Sequence, residues 1–267
     1  MTDQPFSPGG PFTLQQARRL GITRREVLAG PYVRVAHGTY LPARSAGTPI
    51  TLTARSLAAL IHCPPGTVIS HHTAGRLLDL PLPPDQRIHV AVPGKAHRSR
   101  RIGIAAHRLG RGHEVVEYAG LPCTSARETL IDLAPLLRLP DLVAAVDAAL
   151  GRRLITAEEL RSHAVRRARR GSRLCRRALD LADGGSASAM ESKTRVLVRL
   201  AGYPAPTTQR VVHGVTGRGY FLDMGFDHGG WAWSTTVVTT RGTRFSTRGT
   251  SGDARTSPSP AGAWSPR

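Results

Sequence analysis

The chain has 267 residues, of which 40% are hydrophobic, so it is long enough for one large domain or two to three small ones. Its formal net charge of +19 favours polyanionic partners such as nucleic acid and disfavours an acidic or membrane-inserting role. Arginine supplies nearly all of this charge, because Lys95 and Lys193 are the only lysines. Since a GC-rich coding sequence also produces arginine-rich protein, the charge alone does not define a function.

The cysteines and the apolar runs indicate the compartment. Cys63, Cys123 and Cys175 form no CxxC pair, so they suggest neither a zinc site nor a disulfide framework. The sequence shows neither a secretory leader nor an apolar run long enough to span a bilayer. We therefore expect a cytoplasmic protein without a membrane partner.

Residues 12–42 have the element order of a winged helix-turn-helix. Thr13 can cap a first short helix, and Gly21 can reverse the chain after it because glycine tolerates a positive φ. Thr23 and Glu26 then form the T-x-x-E capping box that opens a second helix. This order of elements predicts a unit that places its second helix in a DNA major groove.

The rest of this unit is predicted as a buried helix face and a wing. Val27 and Leu28 are expected to form the buried side of the second helix. Tyr32–Val35 and Thr39–Leu41 are predicted as the two strands of the wing, with His37–Gly38 as the turn. A helical cap with a hairpin that mediates protein contacts is the alternative interpretation.

Several arginines are candidates for DNA contact. Arg24 and Arg25 lie in the first turn of the second helix, where recognition helices meet bases and phosphates, and Arg34 would project from the wing. A basic loop at 95–101 and a basic helix at 166–177 would add phosphate contacts, although a solvated helix face also explains the latter. The predicted DNA-binding residues are Thr23, Arg24, Arg25, Arg34, Arg98, Arg100 and Arg101.

Between residues 51 and 165 helical runs are followed by a group of strand-like runs and then by further helical runs, which predicts an α+β domain. Ser70 can cap a helix, and further capping boxes are present at Ser125–Glu128 and Thr156–Glu159. The three predicted strands are Ile88–Val92, Ile102–Ala106 and Val115–Tyr118.

The runs TVISHHTAGRLLDL, RIHVAVPG, GLPCTSARETLIDLA and AAVDAALGRRLITAEEL resemble the AbiEi-type antitoxins of type IV toxin–antitoxin systems. The resemblance covers roughly residues 12–165, and the stretch from Pro122 to Leu130 followed by Asp132-Leu133-Ala134 is its most specific piece. It implies a winged-helix DNA binder that represses its own operon. It also implies a partner, a nucleotidyltransferase toxin that acts in abortive phage infection.

Two histidine-containing pairs do not predict a metal site. The side chains of His71 and His72 would point about 100° apart on a helix, so they cannot chelate one ion together. The adjacent residues His62 and Cys63 do not predict a metal site either. The sequence contains no P-loop, nucleophile elbow or H-E-x-x-H motif.

The C-terminal third resembles the start of a Vsr-like endonuclease of the PD-(D/E)XK class. Ser188 and Glu191 mark a capping box at the start of a helix, and a hairpin with Asp223 in its second strand follows. The resemblance implies that Glu191 and Asp223 match the first two catalytic positions, and that Asp223 would bind Mg²⁺ if the site were functional. Ordinary surface roles, a helix-start charge and an edge-strand residue, are the alternatives.

The sequence departs from that nuclease pattern after residue 230. The acidic residue that would follow Asp223 on the next strand and bind Mg²⁺ with it is missing. The composition turns to Thr, Ser, Gly, Arg and Pro, which predicts a disordered tail over residues 231–267. We hypothesise that the tail is a frameshifted reading of an ancestral nuclease, which the coding DNA would show as an acidic peptide in another frame. Because a lone Asp223 cannot position Mg²⁺ as two carboxylates would, we expect little or no cleavage and no required cofactor.

The sequence therefore predicts an α+β protein with a helix-turn-helix DNA-binding domain at 1–42, an AbiEi-like domain at 51–165 and an incomplete α/β nuclease-like domain at 186–230. The favoured function is that of a DNA-binding transcriptional regulator of the antitoxin type, with double-stranded DNA and a toxin as partners. A Mg²⁺-dependent endonuclease and a pure protein-interaction partner are the competing hypotheses.

Overall fold

The computed structural model describes residues 10–36, 38–42, 50–94, 102–166, 168–186, 188–204, 206–213, 219–225 and 232–233. The described residues form helices and three sheets in which most strand pairs are antiparallel, so the protein has the predicted α+β fold. Among the helices of these residues, none is long and apolar enough to cross a membrane.

The N-terminal module has the predicted order of elements. It comprises β1 (Phe12–Thr13), α1 (Leu14–Arg19), α2 (Arg24–Ala29), β2 (Tyr32–Ala36) and β3 (Thr39–Pro42). The three strands form an antiparallel sheet in the order β1-β3-β2, in which β1 is a strand that the sequence did not predict. Phe12, Ala17, Val27 and Tyr40 form the small core of this module.

The buried face of α2 is narrower than predicted. Val27 is buried, but Leu28 is 57% exposed, and Leu20 after α1 is exposed as well. Neighbouring helical residues point about 100° apart, so a helix of six residues that packs on one side buries only the residue facing inward. The prediction that Leu28 lies on the buried side was therefore wrong.

A five-stranded mixed sheet follows, with two helices packed against it. Its strands are β4 (Val68–Ile69), β5 (Ile88–Pro93), β6 (Ile104–Leu109), β7 (Val115–Tyr118) and β8 (Leu121–Thr124), in the order β6-β5-β4-β8-β7. The pairs β5·β6 and β4·β8 are parallel, and the other two are antiparallel. Helices α3 (Leu52–Leu60) and α4 (His71–Leu77) contribute to the same core.

In this sheet, two strands were not predicted from the sequence, and the predicted bounds of a third were displaced. Strands β4 and β8 are short, and β8 contains Pro122, so neither has a strong alternating pattern. The predicted bounds of the second strand, Ile102–Ala106, were wrong. Strand β6 begins at Ile104, and Ile102 is exposed in the preceding turn.

A group of helices completes the described body of the chain. Its members are α5 (Ala126–Leu133), α6 (Leu139–Gly151), α7 (Ala157–Arg166), α8 (Ser172–Leu181) and α9 (Ala189–Leu200). Helix α6 is buried along most of its length and contacts α5, α8 and α9. Val196 of α9 belongs to the same hydrophobic core as α5 to α8, so α9 packs with the helices that precede it.

The last sheet contains β9 (Thr207–His213), β10 (Gly219–Gly225) and β11 (Ala232–Trp233), in the order β11-β10-β9 with antiparallel pairs. The predicted hairpin is therefore present as β9 and β10. Of the tail predicted to be disordered, Ala232–Trp233 instead pair with β10 as a strand. Residue 231 and residues 234–267 lie outside the described part of the chain.

Candidate functional site

The start of α2 is built as the sequence predicts. The backbone N–H of Thr23 donates a hydrogen bond to Oε2 of Glu26 (2.6 Å), and the N–H of Glu26 donates to Oγ1 of Thr23 (3.2 Å). These hydrogen bonds, first the backbone one from Thr23, hold the pKa of Glu26 below its ordinary value, so the carboxylate stays charged. The reciprocal bonds complete the capping box and define where the helix begins.

The predicted DNA-contacting arginines of this module are exposed. Arg24 and Arg25 occupy the first turn of α2, immediately after the cap residue Thr23. Arg34 is exposed on β2, opposite Tyr40 of β3. The module thus presents cationic side chains on its helix and on its wing. It also exposes apolar side chains, namely those of Leu20, Leu28 and Val33.

The structure describes only one of the two other basic clusters, the one at residues 166–177. Arg98, Arg100 and Arg101 lie outside the described residues, so their role in DNA binding stays a prediction. In the cluster at 166–177, Arg173 and the pair Arg176–Arg177 are exposed on α8.

Arg169 of the latter cluster instead turns inward. It lies in the loop between α7 and α8, where the sequence had predicted helix, and its guanidinium pairs with Glu128 and Asp132. The prediction that Arg169 contributes a phosphate contact was therefore wrong, because its guanidinium already pairs with two carboxylates inside the protein.

The two nuclease-like positions lie on α9 and β10. Glu191 is buried in the first turn of α9, where its N–H donates to Oγ of Ser188 (3.2 Å). Asp223 lies in β10 between the register pairs Leu222↔Arg210 and Met224↔Thr208, and its side chain is outside the described part. A joint catalytic or metal role for these two residues stays a prediction.

The structure also assembles a group that the sequence did not predict, which we call the histidine cluster: His71, His72, His89, His107 and Asp85. The rings of His71 and His107 stack with centroids 3.5 Å apart. Nδ1 of His89 lies 3.0 Å from Nε2 of His107, and Nε2 of His89 lies 3.0 Å from Oδ2 of Asp85. The rings of His72 and His89 are 5.0 Å apart at their centroids.

Backbone geometry brings these residues together from separate elements. In the parallel pair β5·β6, His89 lies opposite Ala105 and His107 lies opposite Ala91, so both histidines lie on the same face of the sheet. The N–H of His89 donates to Oγ1 of Thr73 in α4 (2.8 Å), which joins this strand to the helix that carries His71 and His72.

The start of α4 is unusual. The sequence predicts that the hydroxyl of Ser70 caps this helix, but Oγ of Ser70 instead hydrogen-bonds to Nδ1 of His71 (2.9 Å), and no side-chain cap bond forms. His71 has a φ of 48°, a left-handed conformation that is strained for a residue with a Cβ. The predicted Ser70 cap was therefore wrong, because the Ser70 hydroxyl bonds to the ring of His71, which stacks on His107.

Burial controls the charge of the cluster. Desolvation lowers the pKa of His71 to about 3 and that of His107 to about 4, since a buried imidazolium loses its hydration. Desolvation also lowers the pKa of His72 and of His89, although the hydrogen bond and charge of Asp85 act in the opposite direction on His89. At neutral pH the four rings are neutral, and each keeps a nitrogen lone pair.

A second buried polar group, the Glu128 network, lies between α5, the loop before α8, and α7. Glu128 has no exposed surface and pairs with Nη2 of Arg169 (2.5 Å) and with Nε2 of His163 (3.0 Å). Arg169 also contacts Asp132 (3.1 Å) and the ring of His113. Burial raises the pKa of Asp132, but the hydrogen bond to His113 and nearby positive charge bring it below its ordinary value.

No family model matches the chain. Two proteins of Mycobacterium tuberculosis, "Uncharacterized protein MT2308" (strain CDC 1551 / Oshkosh) and "Uncharacterized protein Rv2248" (strain ATCC 25618 / H37Rv), are each 33% identical to it over 138 residues. The match covers 51% of this chain and 50% of each relative, so the chain spans about half the length of the curated relatives it matches.

The chain is similar to a solved structure, the "Crystal structure of RV2827C protein from Mycobacterium tuberculosis". It covers 79% of this chain and 85% of its own, with 18% sequence identity and a TM-score of 0.45. At that TM-score the likeness carries no conclusion about fold or function.

Proposed function

We propose that the chain is a DNA-binding transcriptional regulator of the antitoxin type. The observation that carries the proposal is the N-terminal module. In this module a capped helix exposes Arg24 and Arg25 beside a three-stranded sheet, of which the β2–β3 hairpin is the wing. This arrangement has the two parts that winged helix-turn-helix proteins use, a recognition helix for the major groove and a wing for the backbone. The net charge of +19 adds attraction to any duplex.

The local contacts of α2 support this use of its arginines. Glu26 is the acidic residue closest to them in the helix, and its carboxylate is bonded to Thr23. Because Val27 fills the small core, the helix packs on its inner side and leaves the arginine-bearing first turn accessible. Arginine at such a position can read guanine in two hydrogen bonds and can also contact phosphate.

The test is a binding measurement with the double variant Arg24→Ala/Arg25→Ala. The probe is a labelled duplex from the DNA immediately upstream of the chain's own coding sequence, because a self-repressing regulator binds there. We expect the dissociation constant measured by fluorescence anisotropy to rise about tenfold or more, since an arginine–base contact contributes about 1–3 kcal/mol.

The matched control is Arg176→Ala/Arg177→Ala, which removes the same two charges from the exposed face of α8. It should weaken binding to the upstream duplex and to an unrelated duplex equally, and by less than the α2 variant. Unchanged affinity of the α2 variant at moderate salt, or a loss no larger than that of the control, would contradict the proposal.

The antitoxin part of the proposal rests on the AbiEi-like runs within residues 12–165. A nucleotidyltransferase gene beside the chain's own gene, whose product co-purifies with the chain, would support it. The exposed Leu20, Leu28 and Val33 give the module an apolar surface suited to a protein partner. Co-purification without any DNA affinity would favour the pure protein-interaction hypothesis instead.

The competing endonuclease hypothesis leads to a separate expectation. The order of α9, β9 and β10 matches the predicted helix and hairpin, but Asp223 is the only carboxylate within the described strands β9 and β10 that could bind Mg²⁺. We expect the purified chain with Mg²⁺ to leave supercoiled plasmid intact, as the variant Asp223→Asn should. Nicking by the native chain that disappears in Asp223→Asn would favour the endonuclease.

A further inference from the structure

Three side chains of the histidine cluster are placed like the ligands of a metal ion. His72, Asp85 and His89 each offer one nitrogen or oxygen atom, and these atoms all lie within 4.8 Å of one another. The donor atoms around a tetrahedral zinc ion, with bonds of about 2.0–2.1 Å, are separated by about 3.4 Å. The pair from His89 and Asp85 is already at 3.0 Å, so a small movement of the His72 ring would close the site.

An independent observation at His72 points to a ligand. The residue is only 7% exposed, and its Nδ1 has no hydrogen-bond partner within the part of the chain that the structure describes. A buried polar atom without a partner is unfavourable, so such atoms are usually satisfied. By contrast, both ring nitrogens of the neighbouring His89 are engaged.

The surroundings hold two of the three ligands in place. His89 is fixed through its backbone N–H by Thr73, and its Nδ1 lies against Nε2 of His107. A ligating histidine commonly has such a hydrogen bond on its second ring nitrogen, which sets the tautomer and orientation of the ring. Oδ1 of Asp85 accepts the backbone N–H of Arg87 (2.9 Å), a hydrogen bond that does not depend on the Arg87 side chain.

The chemistry of the donors selects the kind of ion. Two imidazoles and one carboxylate suit Zn²⁺ and related first-row ions such as Co²⁺ and Ni²⁺, whereas Ca²⁺ and Mg²⁺ prefer oxygen donors. Three protein ligands leave the fourth position of a tetrahedral ion for water or another small ligand. We propose that His72, Asp85 and His89 bind one divalent transition-metal ion of this class.

Arg87 gives the proposal a distinctive consequence. Its guanidinium is mostly exposed and pairs with Oδ2 of Asp85 (2.7 Å), the same oxygen that lies against His89. It therefore competes with a bound cation for the carboxylate and repels its charge. Removing this guanidinium should strengthen metal binding, an effect that a purely structural role of the cluster does not produce.

The experiment is a titration of the chelator-treated full chain with Zn²⁺ by isothermal calorimetry, and with Co²⁺ by visible absorption. We expect one saturable site, a Co²⁺ spectrum without a thiolate charge-transfer band, and a melting temperature raised by about 5 °C or more at a hundredfold excess of Zn²⁺ over its Kd. His72→Ala and Asp85→Asn should each weaken binding at least 100-fold, and Arg87→Ala should tighten it several-fold.

The control is His62→Ala, because His62 bonds to Thr39 and adjoins Cys63 outside the cluster. It should keep native affinity, and circular dichroism should show that each variant is folded. The proposal is overturned if the native chain has no saturable site or if binding is lost in His62→Ala. Unchanged affinity in folded His72→Ala or Asp85→Asn also overturns it. So does unchanged or weaker binding by Arg87→Ala, which removes no buried group and tests the site even if the other variants unfold.

Discussion

Replacing Glu128 with glutamine should lower the free energy of unfolding by about 3–5 kcal/mol. The substitution keeps the size and shape of the side chain, so it removes the charge without opening a cavity. Glu128 is fully buried and pairs with Arg169 and His163, and it also accepts the backbone N–H of Glu114 (3.3 Å). Without the carboxylate, Arg169 keeps only Asp132 as a described acidic partner.

Chemical denaturation measures this change in the free energy of unfolding. If the m-value is unchanged, the shift of the midpoint reports a change in stability alone. The matched control is Glu159→Gln, since Glu159 holds the same third position in α7, but its carboxylate is exposed and bonds to the cap residue Thr156. The control should change stability much less. Equal effects of the two variants would show that the Glu128 network contributes nothing beyond helix capping.

Replacing Arg195 with methionine should also destabilise the protein, by about 3 kcal/mol. Arg195 is 4% exposed and Asp147 is 2% exposed, and their 2.6 Å ion pair joins α9 to α6. The guanidinium also donates to the carbonyl oxygen of Leu181 (2.5 Å). Methionine preserves most of the apolar stem, so the loss comes mainly from a buried carboxylate without its counter-ion.

Two features place this effect at the lower end of the range for buried pairs. Oδ1 of Asp147 still accepts the N–H of Asp183 (2.7 Å) after the substitution. Asp147 also borders a cavity of about 500 Å³ between α6 and the start of α9, through which water can reach it. The exposed pair Arg161–Asp180, between α7 and α8, is the control. Arg161→Met should change stability by about 0–1 kcal/mol, and an equal loss in both variants would contradict this account.

The N-terminal module was predictable because its signals are local. The capping box at Thr23–Glu26 and the positive φ of Gly21 act within a few residues, and the structure shows both. Leu28 was misplaced because its burial depends on which side of α2 meets the small core. A six-residue helix is too short for the hydrophobic pattern to define that side.

The four S/T-x-x-E patterns show where local reasoning ends. At Thr23–Glu26 and Thr156–Glu159 the glutamate returns to the cap residue at the surface, as the pattern predicts. At Ser125–Glu128 and Ser188–Glu191 the backbone half of the pattern is present, but the glutamate is buried. The sequence around each pattern is similar, and only packing against neighbouring helices decides which carboxylates leave the surface.

By itself the sequence determined the α+β class, the helix starts that are marked by S/T-x-x-E patterns, and a basic N-terminal module with arginines on a short helix, because helix caps and turns depend on neighbouring residues. The tertiary structure decided the partners of the buried charged groups. The three proposed metal ligands lie on different elements: His72 on α4, Asp85 in the following loop and His89 on β5. They meet because β5 packs against α4. Contacts of this kind arise from strand register and helix packing, which no short sequence pattern contains.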